Sequence, residues 1–240
     1  MTTQKTHHAA AHVLESQIPE HLQQELKLQL SNLPSRYFQS LDLPGVKADL
    51  TLTERLPSER VVVSTTEHNG RLTLRVLMAK DEPKIFLRVA AILARHKISI
   101  DSASIFTGAA DGMVLDHFVL QEPVDRDILE PLMAETRSAL RTGVYEPPIL
   151  RPALTKGMRI SVENMRNTDH TTVALIAPDQ VGFLYRVAQV FDAFSLDLKF
   201  AKIRTQNGQI HDTFHVVNTN GPLLMREQRA LSEALAKSFA

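Results

Sequence analysis

The chain has no cysteine, no tryptophan and only three tyrosines in 240 residues. Without thiols there is no disulfide, no thiolate nucleophile and no cysteine ligand for zinc. Glycine is scarce at nine residues, and neither the phosphate-loop pattern nor the dinucleotide fingerprint occurs. Neither sign of charge is in excess, since Lys+Arg and Asp+Glu both number 27. Without a net positive field, neither nucleic acid nor a membrane surface is an expected partner. No apolar run approaches the ~18 residues of a membrane span, and the opening MTTQKTHHAA lacks a signal peptide's apolar stretch. These absences lead to the expectation of a cytoplasmic protein with no cofactor.

What the chain does have is a repeat. LMAKDEPKIFLRVAAILARHKISIDSASIFT (77–107) runs parallel to LIAPDQVGFLYRVAQVFDAFSLDLKFAKIRT (175–205), ninety-eight positions on (81 to 179). Asp81 matches Asp179, Arg88-Val89-Ala90 matches Arg186-Val187-Ala188, and Ala103, Ile105 and Thr107 match Ala201, Ile203 and Thr205. Past a two-residue length difference, Gly112, Asp116 and Phe118 fall on Gly208, Asp212 and Phe214. Such a period is a whole small domain, well beyond the ~20–50 residues of a solenoid repeat.

Each copy spells the same order of elements. Arg60–Thr65 and Arg71–Ala79 flank His68-Asn69-Gly70 and predict a hairpin. An amphipathic helix ending near His96 follows, with Ile85, Val89, Ile92 and Leu93 on one face. Strands at 98–107 and 113–120 come next. Asp125 or Asp127 then caps a helix to Arg141, with Gly143 suited to its end. The second copy predicts strands at 159–164 and 171–177, a helix at 182–194, strands at 196–205 and 209–217, and a last helix from about Leu224. Because the chain stops in a helix, the fourth strand of each sheet is assigned to the segment before each repeat. The fold class is therefore α+β: two ferredoxin-like ββαββα units in tandem with a short helical N-terminal extension. The boundaries expected are an extension at 1–58, units at 59–143 and 159–240, and a proline-rich linker at 144–158. Within the extension, Pro19 to Ser31 and the stretch from Pro44 predict helices.

The most informative chemistry lies in the loop before the first helix of each unit. In the second copy it reads Asp179-Gln180-Val181-Gly182-Phe183-Leu184. Free N–H groups at a helix start suit a carboxylate, glycine allows close backbone approach, and an adjacent aspartate can pair with an ammonium. The same letters also suit a capping aspartate and a turn glycine.

Asp-x-x-Gly ahead of an amphipathic helix and a hydrophobic strand resembles the ACT domain, a small module that senses metabolites. LPSRYF (33–38), IDSASIFTGAADGMVLDHFVLQE (100–122), RISVENMRNTDHTTVALIAPDQVGFLYRVAQVF (159–191) and AKIRTQNGQIHDTFHV (201–216) together resemble the C-terminal region of the bifunctional uridylyltransferase/uridylyl-removing enzymes. Those enzymes modify the PII signalling protein. The resemblance implies a regulatory module of nitrogen metabolism that binds an amino acid, glutamine above others. It also implies ligand contacts at the loop and at the start of the next strand, where this chain has Ser99 and Asp197. The first copy departs from the family's Asp-x-Pro-Gly loop: Asp81-Glu82-Pro83-Lys84 ends on lysine. The second keeps Gly182 but has Val181 for the proline, and is therefore the preferred site. Alongside the sensor stand two other readings: an ACT pair that only dimerises or docks on a protein partner, and a regulatory portion of a uridylyltransferase-like enzyme.

Catalytic machinery is not expected. Asp125-Arg126-Asp127 lacks an upstream Gly-Ser turn and opens a helix, and His211-Asp212 sits in a strand without companion histidines. His8, His12 and Glu15 share spacing but lack a supporting shell. Open sheet edges predict a homodimer.

Overall fold

The computed structural model describes residues 33, 34, 37, 43–108, 112–121, 123–152 and 156–239. The helix expected at Pro19–Ser31 and the His8/His12 pair lie outside the described residues, as does Asp42, the cap that the sequence offers for the helix from Pro44. The elements are α1 (Leu43–Arg55), β1 (Val61–His68), β2 (Arg71–Met78), α2 (Ile85–Arg95), β3 (Ile100–Thr107), β4 (Val114–Leu120), α3 (Leu129–Thr142), β5 (Arg159–Asn164), β6 (Thr171–Pro178), α4 (Phe183–Ala193), β7 (Asp197–Lys202), β8 (Thr205–Gln206), β9 (Gln209–Val217) and α5 (Met225–Ser238).

The strands form one antiparallel sheet in the order β1-β2-β4-β3-β7-β9-β6-β5, with the short β8 beside β9. Each half is a ββαββα unit. β5 pairs with β6 in its own unit, as its duplicated position requires. Asn69 and Gly70, both at positive φ, make the tight β1–β2 turn. Asp125 accepts a hydrogen bond from the Asp127 N–H (3.0 Å) at a 3-10 turn leading into α3. Gly143 closes that helix at φ 76°. Both copies carry a bulge at the same place, between Ile100 and Ser102 and between Leu198 and Phe200.

The two halves fuse along equivalent edges. β3 meets β7 at Ser104 and Lys202, and α2 packs against α4 above them. One hydrophobic core runs through both units beneath the helices. Phe86 of α2 lies over the join, 6.4 Å from the Phe118 ring of its own unit and 6.2 Å from Phe214 of the other.

On the opposite face of the first unit, α1 covers a second cluster with Val62, Leu77, Phe106 and Leu115. A buried polar set ties it down. The Tyr37 hydroxyl donates to Asp49 Oδ2 (2.9 Å), the Arg75 guanidinium donates to Asp49 Oδ1, and His117 Nε2 lies 2.9 Å from the same oxygen. Burial first, then the Asp49 charge, raises the Tyr37 hydroxyl well above its usual pKa.

One detail of the repeat differs from the sequence alignment. Val76 lies opposite Asp116 and Leu175 opposite Asp212, so the strands match at ninety-nine positions (76 to 175). The helix starts, Lys84 and Gly182, still match at ninety-eight. The first loop therefore holds one extra residue. A one-residue slip turns a strand's side chains over, so Leu77 faces α1 while Leu175, its apparent match, lies in the shared core.

Candidate functional site at the junction of the two units

Each loop faces the other unit. The loop after β2 and the start of α2 line a cavity with the segment Ser195–Leu198 ahead of and within β7. Across the join, Asp179, Gln180 and Gly182–Tyr185 meet Ile98, Ser99 and Ile100. The sequence grouped Asp197 with Asp179, and Ser99 with Asp81. The structure exchanges them: Asp197 lies with Asp81 and Lys84, and Ser99 lies with the Asp179 loop. The reason is the β3–β7 join, which carries each strand start past its own helix to its neighbour's loop.

The two places differ in size. The cavity at the Asp81 loop has a volume of about 570 Å³, whereas the one at the Asp179 loop has about 20 Å³. The longer loop thus lines the larger space. At the smaller one, the side chain of Leu150 lies directly against Gly182, where a Cβ would overlap it. Val181 is exposed on the outside of the same loop. Both Lys84 and Gly182 stand at the helix N-cap in left-handed backbone, at φ 71° and 82°. Lysine takes a conformation there that glycine takes freely. Its Nζ reaches across the join to Asp192 Oδ2 at 3.0 Å.

Two functional candidates missed in the sequence sit at the floor of these spaces. Asp116 on β4 lines the large cavity and is 1% exposed, and its Oδ1 has no hydrogen-bond partner among the described residues. Asp212 on β9 lines the small one. It is also 1% exposed; its Oδ1 accepts from the Arg204 N–H (3.2 Å) while Oδ2 has no described partner. Burial raises the Asp116 carboxyl well above its usual range, partly offset by the Phe106 N–H and reinforced by the Asp81 charge. Burial likewise lifts Asp212 to about 7. Asp81 is raised by burial and by Asp197, and Asp179 by burial and, against the Gln180 N–H, by Asp101. The signal was present in the repeat: one aspartate recurs at an inward position of two apolar strands.

Residues 72–137 match the family model of the ACT domain. That stretch runs from β2 into α3 and contains Asp81, Lys84, Ser99 and Asp116. Among curated relatives, a bifunctional uridylyltransferase/uridylyl-removing enzyme of Haemophilus influenzae is 30% identical over 167 residues, covering 64% of this chain and 19% of its own length. The enzyme of that name from Photobacterium profundum is 32% identical over 65% of this chain and 19% of its own. That from Pseudoalteromonas translucida is 25% identical over 91% of this chain and 26% of its own. The chain thus spans about a fifth of the length of the curated relatives it matches. A solved structure, the ligand-free regulatory subunit of aspartate kinase from Thermus thermophilus, aligns with 76% of this chain at 14% identity and a TM-score of 0.25. That score is too low for the two overall arrangements to be called alike.

Among the described residues, no helix is long and apolar enough to cross a membrane, and no group of three or more His, Asp or Glu side chains could hold a metal ion.

Proposed function

We propose that the chain is a non-catalytic regulatory module that binds a free amino acid in the junction cavity and reports occupancy through the arrangement of its two units. The cavity itself carries this reading. It is about 570 Å³, and it joins the loop of one unit to a strand start of the other, so a ligand there touches both. Asp81 and Asp116 are placed to receive an ammonium. Lys84 and the free N–H groups of Ile85, Phe86 and Leu87 at the start of α2 suit a carboxylate. Differential affinity for two arrangements of the units then couples binding to a response.

The favoured site is the Asp81 loop and not the Gly182 loop, which has little space beside Leu150. In this reading the chain divides at 144–158, forms a homodimer through the outer edges β1 or β5, and works in the cytoplasm. Glutamine is the ligand implied by the resemblance and the first to test. Titration calorimetry against a panel of free amino acids should give a saturable heat with at least one of them. A flat response to all would favour the docking-only module. Uridylyl transfer and removal, named in the relatives, are proposed to be absent from this stretch. Turnover by the purified chain above a control preparation would refute that. Sedimentation showing only a 26.8 kDa species at tens of micromolar would remove the dimer.

A further inference from the structure

The ionisable groups lining the junction cavity are one-sided. Asp81, Glu82, Asp116, Asp192 and Asp197 line it against the single ammonium of Lys84. Three of the carboxylates have cations of their own. Lys84 pairs with Asp192 at 3.0 Å, Arg88 lies 3.8 Å from Glu82, and Lys199 pairs with Asp197. Among the described residues, no ion pair within 4 Å involves Asp81 or Asp116, and the only charge that opposes the rise at Asp81 is that of Lys199, already paired with Asp197. Asp116 is buried, lines the cavity and has an oxygen with nothing to accept from. An unsatisfied buried acceptor is costly until a donor arrives.

A zwitterionic ligand with a neutral side chain meets only part of this demand. Its ammonium answers Asp81 and Asp116. Its carboxylate draws on Lys84, however, and that leaves Asp192 without its partner. A second positive group on the ligand restores the balance. The described residues offer no metal cluster, so the cation that fits is organic. Phe86, Phe191, Leu196 and Leu198 supply an apolar wall along which a methylene chain can lie.

Resting on the amino-acid reading above, we propose that the junction cavity selects a dibasic amino acid, with an alkyl chain ending in an ammonium or guanidinium, over neutral ones such as glutamine. The direct test is calorimetry of the full chain with arginine and with citrulline, which differ in a guanidinium against an uncharged ureido group. Arginine or lysine should bind at least about tenfold more tightly than citrulline or glutamine. Asp116→Asn, which keeps the shape but cannot ionise against a bound cation, should abolish that preference. If circular dichroism shows that this variant does not fold, Asp81→Asn at the half-buried rim provides the same readout. Equal affinity for arginine and citrulline, tighter binding of glutamine, or an arginine preference unchanged in a folded variant overturns the cation selectivity and leaves the amino-acid reading standing. Binding of cadaverine without any amino acid sinks the amino-acid reading itself.

Discussion

Ser104 and Lys202 occupy the same place in the two repeats, and they are each other's partners where the two halves of the sheet meet. Ser104 lies opposite His117 and Lys202 opposite Thr213, the positions next to the recurring Asp116 and Asp212. Pairing of equivalent residues places a local two-fold axis between β3 and β7. Such an axis turns the loop of each unit towards the strand start of the other. The two candidate sites are therefore built in the same way, and they differ through local changes that include one extra loop residue, Lys84 for Gly182, Asp197 against Ser99 at the facing strand start, and Leu150 over the second loop.

Stability should fall as the pH rises from about 5 to 8. Asp116 and Asp212 have folded pKa values above the unfolded value of about 4. The folded state thus holds more protons than the unfolded state in this window. Stabilisation is full below the unfolded pKa and is lost as pH rises through the folded one, about 7 for Asp212. The slope from each group is at most about 1.4 kcal/mol per pH unit. Thermal melts of wild type should show this decline, and Asp212→Asn should flatten its part of it. A melting temperature that climbs over the same range would contradict the assignment.

Removing the Asp49 carboxylate should release α1 from the sheet. Asp49 is fully buried and takes hydrogen bonds from Tyr37 and Arg75. Asp49→Ala would strand the buried Arg75 guanidinium, at a cost of about 3–5 kcal/mol. Urea denaturation should show the loss, and a change below about 1 kcal/mol would mean that the set contributes little.

Gly182→Ala should destabilise the chain for two separable reasons. Left-handed backbone costs a side-chain-bearing residue about 1–2 kcal/mol, and the new methyl would meet Leu150. Adding Leu150→Ala should recover only the second part, which a double-mutant cycle measures. Full recovery would show that φ at 82° carries no strain of its own.

Much of the fold was legible in the sequence because the repeat supplied two readings of each element. The Asn69-Gly70 turn, the Asp125 cap, the Gly143 stop and the place of 159–164 beside 171–177 follow from local chemistry and recurrence. The site was only half legible. Asp81, Lys84, Ser99, Asp179, Gly182 and Asp197 all line the two spaces, since they flank helix starts or, for Ser99 and Asp197, the starts of the following strands. Which strand start meets which loop depends on the β3–β7 join, and one bridge between distant strands leaves no periodic trace. Leu150 was hidden for the same reason: a linker's path over a neighbouring loop is set by packing, not by its own composition.

The most direct test of the account compares amino-acid binding by the wild-type chain, Asp81→Asn and Asp179→Asn in one calorimetric series, with circular dichroism confirming that both variants fold. A ligand in the large junction cavity predicts at least about tenfold weaker binding in Asp81→Asn and wild-type affinity in Asp179→Asn. Loss of binding in Asp179→Asn with Asp81→Asn unaffected would place the ligand at the Gly182 loop and contradict the account.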